Sequence, residues 1–147
     1  MSKIHINNDD NYATPLDLYD KWNKEFKFDF DPCPYFAGEI TIHTDGLLKS
    51  WGKSNYINPP YSRKLKEMFV RKAVLESGLG KRCVMLLPVS TSTALFHDVI
   101  KPNAKEIRFL KGRIKFGKLD EKGNFYIPLN KKGKQQSGTK DSMLVIF

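Results

Sequence analysis

Apolar and polar residues along this chain follow helical and strand spacings in turn, and the changeovers fall at prolines and glycines. A first helix is predicted from Tyr12-Ala13-Thr14-Pro15 to about Phe26, with Thr14 as N-cap, Pro15 at the first helical position and Asp17 as the acidic capping-box residue. Phe28-Asp29-Phe30-Asp31 alternates apolar and acidic residues as a short strand does, and Pro32 and Pro34 stop it, which puts Asp31 at a strand end. Asn55-Tyr56-Ile57 reads as a second short strand, ended by Pro59-Pro60. A helix is expected to follow from about Arg63 to Ser77, with Leu65, Met68, Phe69, Ala73 and Val74 on its apolar side and Gly78 as its stop.

Arg82-Cys83-Val84-Met85-Leu86-Leu87 is an apolar run of strand length, as in a strand buried on both faces of a parallel sheet, and Pro88 ends it. A helix over about Thr93 to Ile100 comes next. Strands are then expected at Glu106–Leu110, at Arg113–Phe116 after Gly112, and at Met143–Phe147. Gly117 to Lys140 is rich in Gly, Lys, Asn and Gln, offers only Phe125-Tyr126-Ile127 as structure, and is expected to include a mobile loop. This alternation predicts an α/β fold with a mostly parallel sheet flanked by helices and a more antiparallel C-terminal end. At 147 residues a single domain spanning 1–147 is expected.

Composition narrows the class. The chain is 40% hydrophobic and 28% charged, the balance of a globular protein. No stretch approaches the roughly 20 apolar residues of a membrane span, and Met1 to Asp10 lacks the apolar run of a secretory signal. A cytoplasmic location is expected. Cys33 and Cys83 have neither the number nor the spacing of a disulfide framework or a zinc site, so they are read as reduced thiols. His5 and His43 have no metal-site pattern around them, and His97 is read as a helix-surface residue; no metal is expected. The formal charge of +9 creates a field able to draw in a polyanion, and nucleic acid is the natural partner.

The chemistry concentrates at Asn58-Pro59-Pro60-Tyr61, in the predicted strand-to-helix loop. An exocyclic amino group on a base is a poor nucleophile because its lone pair is delocalised into the ring. The side-chain oxygen of Asn58 and the backbone carbonyl of Pro59 can accept both of its N–H bonds and favour a pyramidal nitrogen. The two prolines hold that carbonyl rigidly and remove competing donors. Tyr61 offers a flat face on which a base drawn from the duplex can stack. Such a loop lies where open α/β sheets bind ligands, at the carboxyl end of a strand. A bare Pro-Pro breaks strands in many contexts; Asn directly before it and an aromatic directly after are the specific combination.

On these residues the chain resembles the small phage-encoded DNA N-6-adenine methyltransferases. The resemblance runs from Tyr12 to Phe116, through Tyr12-Ala13-Thr14-Pro15, Phe30-Asp31-Pro32-Cys33, Thr44-Asp45-Gly46-Leu47 with Trp51, Asn58-Pro59-Pro60-Tyr61-Ser62, Met85-Leu86-Leu87-Pro88 and Leu110-Lys111-Gly112-Arg113-Ile114-Lys115-Phe116. It implies a Rossmann-like, S-adenosylmethionine-dependent enzyme acting on N6 of adenine in double-stranded DNA, in a bacterial host cell, as a monomer or homodimer. It places the catalytic roles on Asn58, Pro59, Pro60 and Tyr61, and the cofactor on Tyr12, Thr14, Pro15, Asp31, Pro32 and Cys33. Asp45, thirteen residues before Asn58, resembles the acidic residue that accepts a bond from the cofactor's adenine amino group; as a turn Asp before Gly46 it has an ordinary structural role as well. The cofactor loop departs from the closely spaced glycines common in such enzymes and has a single, late Gly38.

Nucleic-acid contacts are expected from Ser62, Arg63, Lys111, Arg113 and Lys115, the last three equally readable as the exposed face of a hairpin. Ser90, Thr91, Ser92 and Thr93 either meet a phosphate or the base, or cap the helix that follows. Trp22 and Trp51 are read as core or pocket wall. The alternatives are methylation of cytosine N4, of adenine in RNA or of a glutamine side chain in a protein, and a non-catalytic nucleic-acid-binding remnant of the same fold.

Overall fold

The computed structural model describes residues 12–34, 45–129, 131–134 and 140–147. Gly38, His5, His43 and Thr44, named above, lie outside the described residues. Helix α1 (Leu16–Phe26) is followed by β1 (Ser54–Ile57), α2 (Arg63–Gly78) and β2 (Arg82–Pro88). A π-helical turn, Leu95–Ile100, runs into an α-helical turn, Lys101–Asn103, and then come β3 (Glu106–Phe109), β4 (Lys118–Leu119), β5 (Phe125–Tyr126) and β6 (Ser142–Ile146).

The main sheet has the order β1-β2-β6-β3, and β4 pairs with β5 in a separate antiparallel hairpin. β1 and β2 are parallel, with Tyr56 opposite Val84, whereas β6 is antiparallel to both β2 and β3. The α/β class holds, but the expected mostly parallel sheet is corrected to a mixed one. Two antiparallel ladders follow from one placement: the C-terminal strand enters between β2 and β3 instead of adding to an edge. β1, β2 and β3 therefore still run the same way, and their carboxyl ends share one rim of the sheet.

Alternation along each strand sorts the core into two faces. Ile57, Cys83, Met85, Leu87, Met143 and Val145 face α2 and the π-helical turn, where Phe69, Val70, Ala73, Val99 and Ile100 cover them. Tyr56, Val84, Leu86, Leu144 and Ile146 face the other way, where Trp22 and Phe26 of α1 meet them. Both faces are covered, which accounts for the continuous apolar runs in β2 and β6. Met68, expected on the apolar side of α2, is 41% exposed, and Val70 holds the buried position instead.

Several expected boundaries are corrected. Thr14 does not cap α1: Pro15 is the N-cap residue, with ψ at 135°, and the Thr14 hydroxyl is engaged elsewhere. Phe28–Asp31 makes only a single parallel bridge, Phe30 to Asn55, beside β1. α2 includes Gly78, and the turn is made by Gly80 at φ +89°. The helix expected to end at Ile100 continues to Asn103 because Pro102 is tolerated in the first turn of the α-helical piece. β3 stops at Phe109, and Arg113–Phe116 is not a strand; the chain pairs next at Gly117, bridged to Ala13. A Cβ at Gly117 would lie 2.3 Å from the Tyr126 carbonyl oxygen, so this crossing needs glycine. Part of the Gly117–Lys140 segment is thus ordered by the β4–β5 hairpin. Trp51 is core, with its Nε1 donating to the Gly46 carbonyl at 2.7 Å.

Asn55 secures the entry to β1. Its side chain is fully buried, its Oδ1 accepts from the Gly52 N–H at 2.8 Å, and its Nδ2 donates to the carbonyls of Gly52 and Arg82 at 2.9 and 3.0 Å. Asn55→Ala strands buried donors and acceptors and is expected to cost about 2–3 kcal/mol in urea unfolding with an unchanged m-value. A loss below about 0.5 kcal/mol would show that the backbone does not depend on this side chain.

Candidate functional site

The carboxyl end of β1 leads directly into Asn58, and the two prolines that follow are buried. Asn58 Nδ2 donates to the Tyr12 carbonyl at 3.0 Å and to Thr14 Oγ1 at 3.3 Å. A carbonyl oxygen only accepts, so the group facing Tyr12 is the amide nitrogen, which fixes the orientation of the side chain. Asn58 Oδ1 is left as an acceptor with no protein partner among the described residues. Thr14 Oγ1 is held in turn by the Tyr56 hydroxyl at 2.5 Å. Tyr56 is 2% exposed and is packed edge-on against Tyr19 and stacked on Trp22, so the core of the sheet sets the position of the Asn58 amide through Thr14. Burial pushes the Tyr56 hydroxyl well above its ordinary pKa and keeps it neutral.

Two clefts flank this loop at the rim of the sheet. The first, about 400 Å³, is lined by Tyr12, Thr14, Tyr19, Asp31, Cys33 and Asn58, with Leu119, Asn124 and Phe125 of the small hairpin on its far side. The structure thus brings Tyr12, Thr14, Asp31 and Cys33, four of the residues expected at a cofactor, together with Asn58. Asp31 Oδ1 accepts from the Cys33 N–H at 2.9 Å, yet burial outweighs that bond and raises the carboxyl from 3.8 to about 7. Burial also raises the Cys33 thiol, assisted by the charges of Asp31 and Asp45, which makes it unreactive.

Pro15, Pro32 and Asp45 do not line this cavity. A Cβ at Gly46 would lie 1.8 Å from the Pro32 carbonyl oxygen, so Asp45-Gly46 closes directly on the Pro32-Cys33 turn. Asp45 Oδ1 accepts from the Leu47 N–H at 2.8 Å, the turn role read from the sequence, while its buried Oδ2 has no partner among the described residues.

The second cleft, about 540 Å³, lies on the other side of the loop and is lined by Tyr61, Arg63, Lys66, Pro88, Ser90 and Thr93 among others. The Tyr61 ring is tilted on Tyr12 at 5.5 Å and edge-on to Phe116 at 5.7 Å, and burial raises its hydroxyl pKa. Thr93 does cap: its Oγ1 accepts from the Phe96 N–H at 3.2 Å and donates to the Ser90 carbonyl at 3.0 Å. His97 is exposed, with Nε2 at 2.6 Å from the Thr91 carbonyl. Lys111, Arg113 and Lys115 lie on the exposed stretch between β3 and β4 and line neither cleft; Arg113 reaches Asp141 at 3.4 Å.

Sequence reasoning passed over Tyr56 and Phe116. Strand periodicity places Tyr56 two residues before Asn58 on the same face, a signal that could have joined them. Phe116 closes the very motif that was read for its charges. Among the described residues no group of three or more His, Cys, Asp and Glu side chains could hold a metal ion, and no helix is long and apolar enough to cross a membrane.

A strand-end Asn-Pro-Pro-Tyr loop thus stands between a polar cleft and a cationic one. A family model described as DNA N-6-adenine-methyltransferase (Dam) matches residues 1–147, and the chain belongs to this family. It is 38% identical over 117 residues to a DNA N-6-adenine-methyltransferase of Haemophilus phage HP1 (strain HP1c1), covering 73% of this chain and 66% of that protein. It is 39% identical over 92 residues to one of Escherichia phage T1, covering 58% of this chain and 37% of that protein. The chain thus spans less than two thirds of the length of either relative. No solved structure matches it.

The raised pKa of Asp31 has a thermodynamic sign. The folded state holds this proton more tightly than the unfolded chain, so the associated stability is present below about pH 4 and is lost as pH rises through about 7. Asp31→Asn, which keeps the neutral shape, is expected to flatten the fall in unfolding free energy between pH 5 and pH 7.5. Parallel curves for the two proteins across that window would show that Asp31 ionises normally.

Proposed function

We propose that this chain is a DNA adenine N6-methyltransferase using S-adenosylmethionine, with residues 1–147 forming one Rossmann-like methyltransferase domain that acts on double-stranded DNA in the cytoplasm of a bacterial host. The observation that carries the reading is the oriented Asn58 amide, whose unpartnered Oδ1 stands at the carboxyl end of β1 beside a cleft of small-ligand size. Family membership and the phage relatives, each named a DNA N-6-adenine-methyltransferase, support the substrate. The same-direction run of β1, β2 and β3, with ligand clefts at their carboxyl rim, supports the Rossmann-like description.

The residues present fit the cofactor. S-adenosylmethionine carries an ammonium, ribose hydroxyls and an adenine amino group, all donors, together with a positive sulfonium. The cleft presents Asp31, and the buried Asp45 Oδ2 has no donor among the described residues. Tyr12, Thr14, Asp31 and Cys33 would line its site, Pro15 and Pro32 would shape it, and Asp45 would accept from an amino group. When bound, the cofactor supplies an electrophilic methyl group.

The protein's part is to prepare the nitrogen. Asn58 Oδ1 and the Pro59 carbonyl accept the two N–H bonds of the adenine amino group and draw its lone pair out of the ring. Tyr56 and Thr14 keep Oδ1, and not Nδ2, aimed at that group. Tyr61, supported by Tyr12 and Phe116, stacks on the extruded base. No basic residue is required before transfer, and the proton leaves to water once the nitrogen is alkylated.

Transfer of labelled methyl from S-adenosylmethionine to plasmid DNA, followed by nucleoside analysis, tests the reading. N6-methyl-2′-deoxyadenosine is the expected product; N4-methyl-2′-deoxycytidine or an unlabelled plasmid would overturn it. Asn58→Ala is expected to lower the rate by a hundredfold or more, as for loss of a preorganised acceptor, with the fold retained. Near-normal turnover would remove Asn58 from catalysis.

A further inference from the structure

The cleft on the Tyr61 side is built for an anion. Its cationic lining is Arg63, Lys66, Arg71 and Lys140, against the carboxylates Glu67 and Asp98. Glu67 is taken by Arg71 at 3.0 Å, and no carboxylate among the described residues pairs with Arg63, Lys66 or Lys140. Burial, Lys140 and Arg63 together hold the Lys66 ammonium below its ordinary pKa, so the three cations crowd one another.

The helix start beside them points the same way. α2 has no acidic residue in its first turn, and its N-cap, Ser62, makes no side-chain capping bond. The positive end of a 16-residue helix is normally offset by an acid or a capping oxygen. Here it is followed by Arg63 and Lys64, and the buried Ser62 Oγ has no partner among the described residues. A cavity lined by three cations that no carboxylate among the described residues pairs thus adjoins a helix N-terminus whose capping position is left unused.

We propose that this cleft is a phosphate-binding site that grips the sugar–phosphate backbone of the DNA strand carrying the target base. The proposal rests on the DNA substrate proposed above and adds where the strand is held. Tyr61 and Ser62 are consecutive, so a base stacked on Tyr61 brings its own flanking phosphate to the start of α2. Extruding a base costs its stacking and pairing, and a fixed grip on the adjoining phosphate offsets part of that loss. The apolar floor of Leu87, Phe96 and Val99 suits a sugar face beneath the charged rim.

The test is the salt dependence of duplex DNA binding by the full chain, for the parent, Arg63→Gln, Lys66→Gln and the control Lys24→Gln on the exposed side of α1. The slope of log affinity against log salt is expected to fall by about one for each of the two cleft substitutions. It is expected to stay at the parent value in the control, and thermal melts confirm that each variant is folded. If the parent binds with a steep slope that both cleft variants keep, or if Lys24→Gln lowers it equally, the cleft is not the grip and the substrate reading stands. If the parent shows no salt-dependent DNA binding, the DNA reading itself falls, and this proposal falls with it.

Discussion

The bond from the Asn58 amide nitrogen to the Tyr12 carbonyl ties the segment before α1 to the carboxyl end of β1, and the rest of the site is arranged around that tie. Asn58 is the last polar residue before two buried prolines, so its backbone has little freedom and its side chain only a choice of which end faces which way. The Tyr12 carbonyl makes that choice, and Thr14 reinforces it because its hydroxyl is fixed by Tyr56 from inside the core. The same tie brings Tyr12 against Tyr61, so one contact sets both the acceptor and the aromatic face. Ala13 adds a backbone bridge to Gly117, with Ala13 N–H to Gly117 O at 2.8 Å, which draws Phe116 into the cluster.

With the loop rigid, the two clefts beside it have opposite electrostatic character. The smaller holds Asp31, whose carboxyl is costly to ionise where it is buried, and the larger holds Arg63, Lys66 and Lys140, which no carboxylate among the described residues pairs. A ligand rich in N–H and O–H donors lowers the free energy of the first, and a polyanion that of the second. Since Asn58 lines one cleft and Tyr61 the other, a group passed between them meets the acceptor and the stacking face at the same junction. This division is a property of the short Asn58–Tyr61 loop, whose two ends project to opposite sides.

What was legible in the sequence follows the range of the interactions involved. β1, α2, β2 and β6 were readable because their apolar spacing reflects burial, and the loop was readable because proline marks where a strand must stop. The Thr14 cap was misread because a local rule assigned its hydroxyl to the next turn, whereas Tyr56, forty-two residues away, claims it. The sheet was misjudged for a related reason. Ser142–Ile146 is as apolar when inserted between β2 and β3 as it would be at an end, and hydropathy holds no information on strand order. Arg113–Phe116 alternates like a strand, yet only Ile114 is buried, with Phe116 half-covered by the aromatic cluster. The cationic cleft was half-visible, since Ser62 and Arg63 adjoin the loop, but Lys66 and Lys140 join them only through folding.

The stretch from Leu110 to Gly117 shows how charge and aromatic chemistry are joined in so short a chain. Lys111, Arg113 and Lys115 point to solvent, while Ile114 enters the core under α1 and Phe116 meets Tyr61 edge-on. The alternation that looked like a hairpin strand is therefore a strap, with its apolar residues anchoring it and its cations displayed outward.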